Sequence, residues 1–228
     1  MSGLLISIEG IEGAGKTSLI TGLSSFLEGK GKTIVTTREP GGTQLGAKIR
    51  ELLLDDSVCS DSTGYSSEMA EVLLFAADRA EHVSKLLKPS LDAGKFILCD
   101  RFIHSTLAYQ GYGRGLDLEM LSTLNSIATG GLKPDLVFLL DLAPESGLKR
   151  AKLRVTSTAT SSAMNSESGW NRFEKEKIEF HKKIREGFLE MAKNPQDKFV
   201  TLNAEQNQES VLTTAIERLE AYLDVLDQ

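Results

Sequence analysis

The chain has 228 residues, 40% hydrophobic and 25% charged, with a formal net charge of −6, which is the profile of a soluble globular protein with enough chain for a substantial core in one domain, 1–228. The acidic balance argues against a nucleic-acid polymer or a membrane surface as partner, since both call for a basic face, and no apolar stretch is long enough to span a bilayer. The two cysteines, Cys59 and Cys99, cannot build a disulfide framework, and no Cys/His pairs stand at zinc spacing.

Leu4 to Glu9 reads as a short buried strand. The residues before it carry no basic leader region, so the expected location is the cytoplasm. A glycine-rich turn follows, then a helix over about 16–28 and a second strand over 32–37. The turn Arg38-Glu39-Pro40-Gly41-Gly42-Thr43 breaks regular structure and leads into a helix over about 44–54. Residues 55–67 are polar and loop-like. A long helix is predicted from Glu68 to about Leu91, with Met69, Val72, Leu73, Ala76, Ala80, Val83 and Leu87 as one apolar stripe. Phe75 and Arg79 are four apart and share its shoulder. The remaining strands fall at 95–100, 136–141 and 199–202, and a helix over about 210–226 closes the chain. Cys99 lies in an apolar run and reads as a buried, reduced thiol. Strands alternating with helices imply βαβ units. The fold class is therefore α/β: a P-loop NTPase-type, parallel five-stranded sheet flanked by helices on both faces. Residues 156–168 are small and polar with almost nothing to bury, the composition of a mobile segment.

Chemistry is concentrated at the strand ends. Gly10-Ile11-Glu12-Gly13-Ala14-Gly15-Lys16-Thr17 matches the P-loop pattern, with a strand before it and a helix after it. Its glycines let backbone N–H groups wrap phosphate oxygens, and the helix N-terminus adds partial positive charge. Lys16 would bridge the β- and γ-phosphates of ATP and Thr17 would ligate Mg²⁺. The chain lacks the Asn-Lys-x-Asp guanine motif of a signalling GTPase. Asp100-Arg101 ends the third strand, where open α/β sheets bind ligands. Asp100 can hold Mg²⁺ through water and Arg101 can grip a phosphate. Asp141 ends another apolar strand and is the rival to Asp100, ranked second because no phosphate-gripping arginine follows it. A carboxylate inside a phosphate loop, Glu12, requires a cationic or hydroxyl partner.

These motifs occur in order with Leu74-Phe75-Ala76-Ala77-Asp78-Arg79, Ser105-Thr106-Leu107-Ala108-Tyr109-Gln110-Gly111-Tyr112-Gly113-Arg114-Gly115, Pro134-Asp135-Leu136 and Arg172-Phe173-Glu174. The set resembles bacterial-type thymidylate kinases from about residue 4 to 190. The resemblance implies a nucleoside monophosphate kinase that moves the γ-phosphoryl of ATP to dTMP with Mg²⁺, a lid at about 150–170, and a homodimer packed through helices such as that of Phe75. It also assigns roles. Phe75 stacks on thymine, although a core position fits its place as well. Arg79 donates to the base; the alternative is a surface salt bridge with Asp78 or Glu81. Ser105, Thr106 and Gln110 line the base site, and Arg50 and Arg101 hold the dTMP phosphate. Glu39 sits near that phosphate and the metal waters, and Glu12 accepts from the sugar hydroxyl region. The family's P-loop sometimes carries a catalytic arginine where this chain has Gly13. Members lacking it supply one from the lid, which points here to Arg154, assisted by Arg150; a basic last turn complementing a helix dipole is the alternative. The family's Asp-Arg-Tyr is Asp-Arg-Phe here, and His104 stands where an acid is common. Kinases for another nucleoside monophosphate and a non-catalytic nucleotide-binding module are the rival readings.

Overall fold

Three of the five strands are buried almost from end to end, and they form the middle of one parallel sheet. The computed structural model describes residues 3–54, 60–61, 64–65, 67–158 and 173–226, with 60–61, 64–65 and 154–158 as backbone only. Strands β1 (Leu4–Glu9), β2 (Ile34–Arg38), β3 (Phe96–Asp100), β4 (Leu136–Asp141) and β5 (Phe199–Asn203) lie in the order β2-β3-β1-β4-β5. All neighbours are parallel. β1, β3 and β4 are covered on both faces, which is why they read as continuous apolar runs and not as alternating ones. β2 and β5 are the half-exposed edges.

The helices are α1 (Lys16–Gly29), α2 (Gln44–Leu54), α3 (Glu68–His82), α4 (Ile103–Thr106), α5 (Leu118–Thr129), α6 (Pro144–Thr158), α7 (Ile178–Met191) and α8 (Gln208–Leu226). α3 continues through a π-helical turn (Val83–Leu87) into a last α-helical stretch (Lys88–Asp92), and α4 continues as a π-helix (Leu107–Gly113). Alternation along β1 separates two apolar layers. Leu4, Ile6 and Ile8 join the larger layer with Leu23, Phe138, Phe188 and Leu219. Leu5 faces the other side with Val83, Leu87, Ile97 and Phe102. The register pairs Ile8 with both Asp100 and Phe138, and Arg38 with Asp100, so the P-loop, Arg38 and Asp100 emerge at one edge of the sheet.

The strand and helix positions expected from the sequence are present, with ends shifted by one or two residues where they differ. Three features depart from that reading. First, the apolar stripe of α3 is only partly core. Val72, Val83 and Leu87 are buried, but Met69, Leu73 and Ala80 are exposed. The buried face of the helix also holds Asp78, Arg79 and His82, which meet the polar Pro-Gly turn, and Glu71, which meets Gln110. Second, 103–113, to which the sequence reading assigned no element, is helical despite Gly111 and Gly113. A Cβ on Gly113 would lie 2.7 Å from the Phe180 ring, so close packing on α7 sets the conformation there and outweighs helix propensity. Third, α6 runs to Thr158, into the Ser/Thr-rich segment; the rest of that segment and the residues up to Arg172 lie outside the described residues. In 55–67, Ser60–Asp61 pairs antiparallel with Gly64–Tyr65, and Cys59 lies outside the described residues. Cys99 is buried and free.

Candidate active site

The sheet edge opens into a cavity of about 1030 Å³. On a chain of net negative charge it gathers Lys16, Arg38, Arg50, Arg79, Arg101 and Arg150. It also takes in Glu12, Gly13, Ala14, Gly15, Thr17, Glu39, Phe75, Asp100, Ser105, Thr106 and Gln110, so most residues singled out in the sequence meet in one place. Gly10 and Ile11 lie beneath it, where their carbonyls accept from Lys16 Nζ at 3.1 and 3.0 Å. α6 holds Arg154 one turn beyond Arg150 as backbone; its side chain is not described. Arg150 itself donates from Nη1 to the Ala204 carbonyl at 2.9 Å.

The loop geometry follows from its glycines. Gly13 has φ 73° and Gly15 has φ 98°, conformations closed to most L-residues. A Cβ on Gly13 would also collide with the Gly147 carbonyl of α6. This crossing gives a physical reason why no arginine stands at position 13. Burial, reinforced by the nearby Arg101 charge, lowers the Lys16 ammonium to about 8 in the ligand-free protein, against the pull of Asp100, Glu12 and Glu9. Phosphate oxygens brought next to it would restore the charged form.

Arg101 is the hub. Its φ is 71°, in the left-handed region that few non-glycine residues occupy. Nη2 donates to Glu12 Oε1 at 3.1 Å and to the Tyr109 hydroxyl oxygen at 2.8 Å, and Nη1 donates to Ser105 Oγ at 3.2 Å. The Tyr109 hydroxyl in turn donates to Glu12 Oε1 at 2.6 Å, and His181 Nδ1 stands 3.5 Å from Glu12 Oε2. Burial alone would raise the Glu12 carboxyl. His181, Arg101, Lys16 and Tyr109 outweigh it and hold the group well below the usual carboxylate range. The partners that a carboxylate in this loop requires are therefore present.

Glu39 is enclosed. Its Oε2 accepts from Arg79 Nε at 2.8 Å, and its Oε1 is 2.9 Å from His82 Nδ1, whose Nε2 is 2.7 Å from Thr37 Oγ1. The Glu39–Pro40 peptide is cis. Arg79 is buried, not a surface partner of Asp78 or Glu81. Besides Glu39 it donates from Nη1 to Thr106 Oγ1 and Asn125 Oδ1 at 2.8 and 2.5 Å, and from Nη2 to the Phe102 carbonyl at 3.2 Å. A guanidinium has five N–H groups, so among the described residues one Nη2 hydrogen has no partner, on a residue that lines the cavity. Gln110 donates to Glu71 Oε1 at 2.7 Å, and Phe75 packs at a tilt 6.3 Å from Phe173. Arg50 donates to the Pro40 carbonyl at 3.0 Å.

The two candidate metal carboxylates are distinguished by their neighbours. Asp141 is gripped by Arg185 through bonds of 2.6 and 3.0 Å and lies outside the cavity. Asp100 lines the cavity, and its Oδ1 is buried with no hydrogen-bond partner among the described residues. Thr17 is exposed and also lines the cavity. His104 is buried edge-on against Phe199, 4.8 Å between ring centres, and burial lowers its imidazole to about 4. Sequence reasoning missed Glu9, Arg38, Tyr109, His181 and the loop around Gln206 and Asn207. Tyr109 alone carried a readable signal, one helical turn beyond Ser105.

Comparison with known proteins agrees with this geometry. The profile described as thymidylate kinase matches residues 8–215. The chain is 46% identical over 220 residues to a thymidylate kinase of Desulfovibrio desulfuricans, covering 96% of each chain. It is 48% identical over 201 residues to one from Desulfosudis oleivorans, covering 88% of this chain and 89% of that one. A crystal structure of thymidylate kinase from Ehrlichia chaffeensis superposes with a TM-score of 0.72 at 30% identity, over 96% of this chain and 99% of the other. With a P-loop, an Asp-Arg strand end and a polar-aromatic pocket gathered in one cavity, the chain belongs to the thymidylate kinase family.

Proposed function

We propose that the chain transfers the γ-phosphoryl group of ATP to dTMP, giving ADP and dTDP, in dTTP synthesis in the cytoplasm. One observation carries this reading: a single cavity joins the P-loop to a second cluster of arginines and then to a pocket of base-reading side chains. ATP phosphates lie on the loop against Lys16, and its base lies toward Arg150, Gln206 and Asn207. The dTMP phosphate is held by Arg101, Arg50 and Arg38. Thymine stacks on Phe75, takes the free Nη2 hydrogen of Arg79, and meets Ser105, Thr106 and Gln110. A donor there favours the carbonyl of thymine over the exocyclic amine of cytosine. Glu12 anchors Arg101 and faces the sugar.

Transfer is in line, and the acceptor is already an anion at neutral pH, so no strong base is needed. Catalysis is positioning plus charge neutralisation. Arg150 is tied to Ala204, which favours Arg154 as the lid arginine that reaches the transferring group. Thr17 and the unpartnered oxygen of Asp100 fit Mg²⁺, which in such sites is held by few protein groups and by phosphates. When bound, the ion adds neutralising charge at the phosphates. A homodimer is also proposed: Leu45 and Leu52 of α2 and Met69 and Leu73 of α3 form an exposed apolar face on two packed helices.

The test is ADP release with ATP, Mg²⁺ and dTMP, dUMP, dCMP or thymidine. Fast turnover with dTMP, weak turnover with dUMP and none with the others is expected. No turnover with dTMP would overturn the reading in favour of another kinase or a binding module.

A further inference from the structure

A fully buried carboxylate beside the cavity, Glu9, is used by none of these steps. It ends β1, immediately before the P-loop. Its Oε1 accepts from the Phe102 N–H at 2.8 Å, and its Oε2 accepts from the Ser105 hydroxyl at 2.6 Å. Ser105 Oγ is the atom to which Arg101 Nη1 donates. The two oxygens thus hold the chain on the far side of Arg101 twice, at the next peptide and at the hydroxyl under its guanidinium. Arg101, just before both, has φ 71°. Its own N–H donates to the Ile8 carbonyl at 3.0 Å, and its carbonyl accepts from Cys99 Sγ at 3.0 Å. The backbone turn is fastened to the sheet, while the side-chain direction is set between Glu12 and Tyr109 on one side and Ser105 on the other.

We propose that Glu9 is a positioning residue that, as a carboxylate, aims Arg101 at the acceptor phosphate through Ser105 and the Phe102 N–H. This rests on the kinase reading above. Both partners are donors, so only the ionised carboxylate accepts from both at once; a protonated acid makes one oxygen a donor, and Ser105 must turn its hydroxyl away. Burial pushes the Glu9 carboxyl up to about 7, against the opposing pull of Ser105, Arg101, the Phe102 N–H and Lys16. Arg101 at the end of β3 and Lys16 at the start of α1 are the charged groups that act on it.

Glu9→Gln keeps the shape and removes the charge. At pH 8, its kcat/KM for dTMP should be about tenfold below wild type, the scale on which small misplacements of a reacting partner act. At pH 6, where wild type is largely protonated at Glu9, the gap should close to within about twofold by the same reasoning. The KM for ATP should not change. Ionisation of dTMP is common to both proteins and cancels in the ratio. A ratio equal at both pH values, whether of one or of ten, would overturn the inference, since a merely structural role lowers active enzyme alike at each pH. A crystal structure of Glu9→Gln at pH 8, which needs no substrate, should find the Arg101–Ser105 contact broken; an intact contact would also overturn it. Lack of wild-type turnover with dTMP would count against the kinase reading alone and leave the crystal structure to decide the role of Glu9.

Discussion

Arg101 occupies a backbone conformation that costs roughly 1–3 kcal/mol for a residue with a Cβ, and it persists because five groups hold it: the Ile8 carbonyl, the Cys99 thiol, Glu12, Tyr109 and Ser105. Burial, aided by Glu39, Asp100 and Glu9, pushes the Cys99 thiol up, which keeps it as the S–H that donates to the Arg101 carbonyl. The guanidinium also lies over the Tyr109 ring, 4.7 Å from its centre, a placement suited to a planar cation. Arg101→Lys keeps the charge but cannot reach Glu12, Tyr109 and Ser105 together. It should therefore lower kcat with dTMP by about 10², close to the loss for Arg101→Ala, since oriented donors matter more here than charge alone. Steady-state kinetics on the two variants checks this; near-wild-type turnover by the lysine form would show that charge suffices.

At the level of elements, the crossing of the P-loop and α6 is the tightest constraint on the donor site. Gly13 and Gly147 face each other so closely that a Cβ on Gly147 would stand 2.5 Å from the Glu12 carbonyl and 3.0 Å from Ile11 Cδ1. The carbonyl is backbone and cannot swing away. Gly147→Ala should thus destabilise the protein by roughly 1–3 kcal/mol, as overpacking of a filled site does. It should also raise the KM for ATP, because the displaced segment is the P-loop proposed to hold the phosphates. Urea unfolding and ATP kinetics together test it; a variant less stable but with an unchanged KM would mean that α6 moves and the loop does not. The same geometry ties the proposed lid to the loop, since α6 also carries Arg150 and Arg154.

For the whole molecule, buried carboxylates set the response to pH. Burial raises Glu9 to about 7, and burial with the adjacent Glu39 charge raises Asp78 to about 6. Both are acids whose folded form holds the proton longer than the unfolded chain does. Between about pH 4 and 7 these two groups bind more protons in the folded state and make stability fall as pH rises through that window, while the buried His104, lowered to about 4, pulls the other way at the acid end of it. Glu12 acts oppositely: its depressed carboxyl contributes stability above the ordinary carboxylate range and loses it in acid. Asp78→Asn keeps the acceptor for the Gly41 N–H, a 3.0 Å bond in the native protein, and removes the titration. The drop in melting temperature from pH 5 to pH 7.5 in ligand-free protein should be smaller in this variant than in wild type. An equal drop in both would show that Asp78 titrates normally in the fold.

The amino-acid order alone determined the alternation of strands and helices, the P-loop and the Asp-Arg strand end, because each is a local pattern of apolar period, glycine conformation or adjacent charge. Those patterns span a few residues, so they survive being read without neighbours. The tertiary structure supplied the physical reason that Asp100, which the sequence ranked ahead of Asp141, is the carboxylate that faces the cavity. Asp100 and Asp141 end equivalent strands, but Arg185, 44 positions from Asp141, neutralises that one. It also decided that Arg79 and His82 enclose Glu39 across 40 and 43 positions, and that Glu9 reaches Ser105 across 96. The same limit hid the exposed half of the α3 stripe, since periodicity names an apolar face without saying what covers it. Partners brought together by sheet order leave no trace in local spacing, and it is these partners that fix charge, orientation and proton affinity in the site.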